Sequence, residues 1–370
     1  MHIPGDGEMA GLLQDSAGGS TPGATTLPAA NGPSVWTGRD LSRSNDWIFH
    51  LTPRDIDEID HAARHFRDSG VDLFRIATAT FPLPRLGPRL VALQREIITG
   101  RGFALIRGLP VQNYDRTTVA TIYMGLGRYF GDPVSQNAKG HLLGHIKDLG
   151  HTRLDPKYRG YQTTEELRYH TDSCDIVGLL CLARAKSGGL SSIASAGAIF
   201  NEIRRRRPDL IPVLTEPFYI SRNGEIPAGK NPWYRIPVFN FCEGHMTTLY
   251  AARDVRTAQL LDGVPSFTEA QREALDLFLL VAEEVSLKMD FNVGDIQLLH
   301  NHDIVHARTE FEDYPEDERK RHLLRLWLSV PNGRPLPPCF AERYGTVELG
   351  AVRGGIVCPG TQLTIPLDAE

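Results

Sequence analysis

A chain of 370 residues with a net charge of −5, 41% hydrophobic and 23% charged residues has the composition expected of a soluble globular protein, in one large domain or two ordinary ones. The mild acidity leaves no electrostatic footprint for nucleic acid or an anionic membrane, and no apolar run approaches the roughly 20 residues of a membrane span. Five scattered cysteines without a C-x-x-C pair predict reduced thiols in a cytoplasmic protein, against a disulfide framework or a zinc ribbon.

Residues 1–34 carry acids and glycines where a secretory signal would have a basic flank and an apolar run. Rich in Gly, Ser, Thr, Pro and Ala and without a sustained period, they predict a disordered or loosely tethered arm. Residues 35–370 are then expected to form a single domain. "LTPRDIDEIDHAARHFRD" predicts a helix with Thr52 as N-cap and Pro53 at its first position. "GFALIRGLP" (102–110) predicts a short strand, and "DRTTVATIYMGLGRYFG" (115–131) an amphipathic helix ended by glycine. "VGLLCLARA" predicts a central strand, and "AGAIFNEIRRRRPDL" a helix. The four arginines 204–207 suit the negative end of that helix's dipole, with Pro208 as its stop. "RIPVFNF", "HMTTLYAA" and "VSLKMDF" predict short strands around a long helix that starts at Thr268, where "TEAQ" forms a capping box. "IQLLHNHDIVHA" and "RHLLRLWLSV" close the series, with the charged run "EDYPEDERKR" as a solvated loop between them. Few helices precede many short strands, without βαβ alternation. The pattern predicts an α+β chain around a mainly antiparallel sandwich or jelly roll with flanking helices.

Within "LRYHTDSCDIVGLLCL" (167–182), His170 and Asp172 stand two apart. On an extended strand such residues share a face, so an imidazole and a carboxylate would aim at one point. Taken alone, the pair reads by default as hydrogen bonding at a strand edge. Four further histidines lie within 300–322: His300, His302, His306 and His322. Arg321 and Arg325, at i and i+4 on a strand, would point into one cavity. A His-x-Asp pair, a distant His and an arginine soon after are the parts of a 2-His-1-carboxylate iron(II) site. Two imidazoles and one carboxylate hold one face of the metal and leave three positions open. A guanidinium then grips the far carboxylate of a dicarboxylate co-substrate as a planar fork.

With "YHTD", "AKSGGLSS", "NPWYRIPVF", "GDIQLLHNHDIVHART" and "RHLLRLWLS", the chain resembles the taurine dioxygenase or clavaminate-synthase-like family of iron(II)/2-oxoglutarate-dependent oxygenases, over about residues 100–330. The resemblance implies a double-stranded β-helix core over that span. It implies Fe(II) held by His170, Asp172 and His306, with His306 preferred over His300 and His302. It implies 2-oxoglutarate anchored by Arg321 with a hydroxyl contact from Ser191. Arg325 matches a second arginine, whose contact with substrate or co-substrate stays open. The implied activity is a dioxygenase that uses O2 to hydroxylate, desaturate or cyclise a small organic substrate, in specialised metabolism as for many relatives. Asp172, a carboxylate where halogenating relatives have a small residue, favours those outcomes over halogenation. Trp327 is expected in the core and His322 at the surface or in sheet packing, Cys174 and Cys181 as buried apolar groups, and Gln136, Asn137, Tyr161 and Asn223 as structural hydrogen-bonders near the pocket. The alternative is a non-catalytic or zinc-bound jelly-roll binding protein on the same scaffold.

Overall fold

The computed structural model describes residues 27–150 and 160–370. Its central strands are, in chain order, β1 (Ile48–His50), β2 (Phe103–Arg107), β3 (Asp132–Pro133), β4 (Gly144–Lys147), β5 (Leu167–His170) and β6 (Ile176–Ala183). There follow β7 (Ser191–Ser195), β8 (Leu287–Met289), β9 (Ile296–His300), β10 (Ile304–Arg308) and β11 (His322–Ser329). A seven-stranded sheet runs β1-β2-β9-β6-β11-β3, with β4 also paired to β11. A four-stranded sheet runs β8-β7-β10-β5. The β1–β2 pair is parallel and the remaining pairs of both sheets are antiparallel. The two sheets face each other as a double-stranded β-helix, with helices on both outer faces.

Residue alternation decides which face each side chain takes. On β11, Leu324, Leu326 and Leu328 pack outward against the helices Pro53–Asp68, Leu86–Thr99 and Arg116–Gly127. Leu323 and Trp327 point inward, into a core shared with Val177 and Cys181 of β6 and Ile193 and Ile304 of the smaller sheet. Arg321 and Arg325 have the same parity, so both guanidiniums enter the interior between the sheets. On the smaller sheet Tyr169, Ala194 and Val305 face outward against the helices Ala196–Arg206 and Glu269–Val285. Their neighbours His170, Ile193 and His306 therefore face inward.

The helix starts follow their local chemistry. Thr52 and Asp55 form a reciprocal capping box ahead of Pro53, and Thr268 and Gln271 form another. The arginine run is consumed by structure: Arg206 pairs with Glu202 and Glu284, and Arg207 with Asp209 and Glu273. Arg204 donates to the Leu27 carbonyl, and the Asn201 amide bonds both N–H and C=O of Ala30. Of the arm predicted over 1–34, residues 27–34 thus lie along that helix, and 1–26 fall outside the described residues.

Behind β9 and β10 the tight turn 301–303 is fixed by two buried ionic networks. Asp303 takes a two-pronged contact from Arg334 (2.6 Å on each oxygen) and His300 Nδ1 at 2.9 Å. Asp175 joins His302 Nε2 (2.8 Å), Arg353 and the Val330 N–H. Both acids are held below the ordinary carboxylate range: burial opposes ionisation, but the neighbouring histidines and arginines outweigh it. These contacts bind the segment after β11 to the sheets, so the packed body continues past residue 330.

Candidate metal centre and its cavity

Antiparallel register brings the first two groups together. His170 of β5 sits directly opposite His306 of β10, with ring centroids 4.2 Å apart. Asp172 follows where the chain leaves β5 for the larger sheet. It lies beyond the strand end, so the simple i, i+2 picture of one extended strand is corrected: a turn aims the carboxylate. Asn301 holds that turn, accepting the Asp172 N–H at 2.8 Å and donating to the Asp172 carbonyl at 2.7 Å. One ligand atom from each of His170, Asp172 and His306 falls within 4.8 Å of the others.

The electrostatics suit a cation. His170 Nδ1 lies 2.8 Å from the Arg168 carbonyl, which places the proton on Nδ1 and turns the Nε2 lone pair toward the site. Burial, with His170 beside it, pushes His306 down to about 3, so its ring is neutral at physiological pH. Burial alone would raise the Asp172 carboxyl, but Arg325 and the two imidazoles beside it hold it below the usual range. The carboxylate is oriented by the Trp327 indole N–H, 2.8 Å from Oδ2, and by Arg325 Nη1 at 3.5 Å. Two imidazoles and one carboxylate on one side of an open space are a donor set for a divalent transition metal.

Arg325 is itself fixed. Its Nε donates to Gln136 Oε1 at 2.7 Å, and its guanidinium lies between the rings of Tyr161 and Trp327, 5.1 and 4.8 Å from their centroids. It shares with His170 and Asp172 the lining of a cavity of about 390 Å³. Gln136, Asn137, Tyr161 and Asn223 line the same cavity.

Arg321 and Ser191 are not among that cavity's lining residues. Arg321 is 5% exposed, and its Nη1 is buried without a hydrogen-bond partner among the described residues. Asp313 accepts its backbone N–H, not its guanidinium. Burial lowers its pKa to about 10, so it stays charged. Gly189, at φ +67°, leaves the space: a Cβ there would stand 3.1 Å from Arg321 Nε. Ser191, two residues on, bonds Gln297 Nε2 at 3.1 Å. A buried cation with an unused donor fits a carboxylate from outside the chain.

The other candidates resolve clearly. His300 and His302 belong to the acid networks behind the turn, away from the triad. His322 Nε2 pairs with His145 Nδ1 at 2.8 Å, as a packing histidine. Burial raises both Cys174 and Cys181, the latter to about 12, as expected of inert buried thiols. Trp327 packs in the core as predicted, but it also donates to Asp172, which the sequence reading misses. Its parity with Arg325 is the available signal. Asn301 is also missed, because nothing local marks a side chain that clamps a residue 129 positions away.

Comparison with known proteins agrees with this geometry. The family described as "Taurine catabolism dioxygenase TauD, TfdA family" matches residues 65–327. FR-33289 synthase of Streptomyces rubellomurinus is 33% identical over 323 residues, covering 85% of this chain and 94% of that protein. Taurine hydroxylase-like protein SAT17 of Stachybotrys chartarum is 32% identical over 312 residues, covering 80% and 78%. Asparagine oxygenase, solved with Fe(II), 2S,3S-3-hydroxyasparagine and succinate, superposes with a TM-score of 0.60 at 15% identity, covering 76% of this chain and 93% of that one. At that identity the likeness establishes the fold.

Proposed function

Because the chain belongs to the TauD/TfdA family of dioxygenases, and so works with iron(II) and 2-oxoglutarate on a small organic substrate, we propose that His170, Asp172 and His306 carry its iron and that Arg321 and Ser191 anchor its co-substrate. The single observation that carries the assignment is the convergence of those three ligand atoms beside the cavity. When bound, the metal and 2-oxoglutarate supply with O2 an oxidant for a C–H bond, releasing succinate and CO2.

The chain's own residues do the positioning. Trp327 and Arg325 fix the Asp172 carboxylate, Asn301 fixes its backbone, and the Arg168 carbonyl fixes the His170 tautomer. Arg321, charged and unsatisfied, takes the far carboxylate of 2-oxoglutarate. The Ser191 hydroxyl adds a polar contact at the cost of its bond to Gln297. Arg325, held between two rings at the cavity wall, faces substrate or the metal-proximal carboxylate. With an acid at position 172, hydroxylation, desaturation or ring closure is the expected outcome.

We read residues 35–370 as one oxygenase domain, supported by the ionic networks that tie residues 334 and 353 to the sheets. A cytoplasmic setting is supported by five free cysteines; among the described residues no helix is long and apolar enough to cross a membrane. The test is anaerobic addition of Fe(II) and 2-oxoglutarate. A visible metal-to-co-substrate charge-transfer band is expected, lost in Asp172→Ala, followed in air by succinate release. A protein that binds zinc alone, without a band, would contradict the proposal.

A further inference from the structure

The stretch 134–143 between β3 and β4 carries Gln136 to the cavity wall, where its amide is engaged at both ends. Its Oε1 accepts from Arg325 Nε at 2.7 Å, and its Nε2 donates to the carbonyls of Arg325 and Leu142, at 2.8 and 3.1 Å. Arg325 in turn stands 3.5 Å from the Asp172 carboxylate. What fixes this stretch from behind is a segment far along the chain, residues 361–370. The Leu142 N–H donates to the Thr364 carbonyl and the Thr364 N–H to the Gly140 carbonyl, each at 2.8 Å. The Thr361 hydroxyl donates to the Ala138 carbonyl at 2.8 Å, and His145 Nε2 to the Pro366 carbonyl at 2.9 Å. Gly140, at φ +87°, admits the segment: a Cβ there would stand 2.0 Å from the Gln362 carbonyl oxygen.

That segment is held with little apolar burial of its own. None of residues 361–370 is buried; Leu363 and Leu367 are 53% and 36% exposed, while Ile365 packs half-buried on the outer core. Beneath it Gln136, His141, Leu142 and His145 are all buried. Asp368 pairs with Arg116 and Glu370 with Lys139, all four largely exposed, and Glu370 also takes His141 Nε2 at 2.9 Å. A segment bound through exposed hydrogen bonds and screened ion pairs belongs to the low-stability end of a fold, and opens without global unfolding. A small void bordered by Gln136 and Arg325, and by His141, Asp368 and Glu370, puts the segment directly behind the cavity wall.

We propose that residues 361–370 form a strap that opens and closes behind the cavity, and that its closure positions Arg325 against Asp172. The link runs through hydrogen bonds: Thr364 holds Leu142, the Leu142 carbonyl holds Gln136, and Gln136 holds Arg325. An open strap frees Leu142, and Gln136 then loses one of the two carbonyls that orient its amide. Linkage makes the effect reciprocal: a molecule that fixes Arg325 from the cavity side also closes the strap. The strap lies beyond the stretch 65–327 matched to the family. Its consequence at the metal rests on the oxygenase reading; its motion does not.

The test uses the full chain, anaerobic, with Fe(II) and 2-oxoglutarate, read by hydrogen exchange with mass spectrometry and by the charge-transfer band. In wild type the amides of the strap and of Leu142 should exchange together, and faster than those of β6 and β11. The double variant Thr364→Pro/Asp368→Asn removes one hydrogen bond and one exposed ion pair, so exchange at Leu142 should rise about tenfold with β6 unchanged. Gln136→Met breaks the last link directly, and by reciprocity should also speed exchange of the strap. A guanidinium withdrawn from a metal-bound carboxylate leaves the metal easier to oxidise, so the band should move to longer wavelength in Gln136→Met and part of the way in the double variant. Leu142 exchanging only with the sheets, an unchanged rate in the double variant, or a wild-type band in both variants would each overturn the proposal. A missing band in wild type would count against the oxygenase reading instead, while the exchange rates of the same samples still decide the strap and its link to Gln136.

Discussion

Replacing Arg321 by Met should have opposite effects on the free protein and on its complex. A fall of the Arg321 pKa from its ordinary value to about 10 corresponds to about 3 kcal/mol at 1.36 kcal/mol per pKa unit. The sign is unfavourable: the folded state holds that proton more weakly than the unfolded chain, so charged Arg321 costs stability at any pH below about 10, and the cost lessens only above it. Methionine fills similar volume without charge. It forfeits the contact with the Phe311 ring at 5.3 Å, worth about 1 kcal/mol. The net gain is about 1–3 kcal/mol, a rise in melting temperature of roughly 1–4 °C for a domain of this size. Binding should move the other way. Loss of a charge-assisted fork costs about 3–4 kcal/mol, so the Kd for 2-oxoglutarate should rise on the order of 10²–10³-fold. Thermal melts with and without Fe(II) and 2-oxoglutarate, together with calorimetry, read both arms. A variant that melts below wild type when free and still binds 2-oxoglutarate as tightly would refute the reasoning.

Trp327→Phe keeps the ring in the core but removes the donor 2.8 Å from Asp172 Oδ2; iron affinity should fall about 10–100-fold with little change in melting, as measured by Fe(II) titration. Arg353→Met leaves Asp175 buried without its guanidinium and should cost about 3–5 kcal/mol in denaturant unfolding. Acid should destabilise the protein well above the carboxylate range. Burial depresses His302 to about 4 from about 6.5 in the unfolded chain, so its contribution is complete above pH 6.5. It is lost at about 1.4 kcal/mol per pH unit as pH falls toward 4, and His322, depressed to about 3, acts with the same sign. Melting temperatures that stay flat from pH 7 to 5 would contradict this assignment.

Several features were legible in the chain because their causes are local. The N-cap at Thr52, the capping box at Thr268, and the alternation that puts Leu324, Leu326 and Leu328 on one face of β11 and Arg325 on the other need only neighbours a few residues apart. The triad was legible only through motif resemblance, since no spacing rule states that position 306 will pair in register with position 170. The turn that carries Asp172 off the strand, and the Asn301 amide that holds it, were not legible. Both depend on residues that meet only after the two sheets close. Thr361 and Ala138 stand 223 positions apart and share no motif, so the strap behind Gln136 exists only in the folded chain.

The order of residues sets the types of group available and the face of each strand on which they lie, because side-chain period is a property of the backbone. Which of those groups share a cavity, and which charges lack a partner, follows from how the sheets close. Distance and burial are set by sheet register and closure, and these determine what each charge costs.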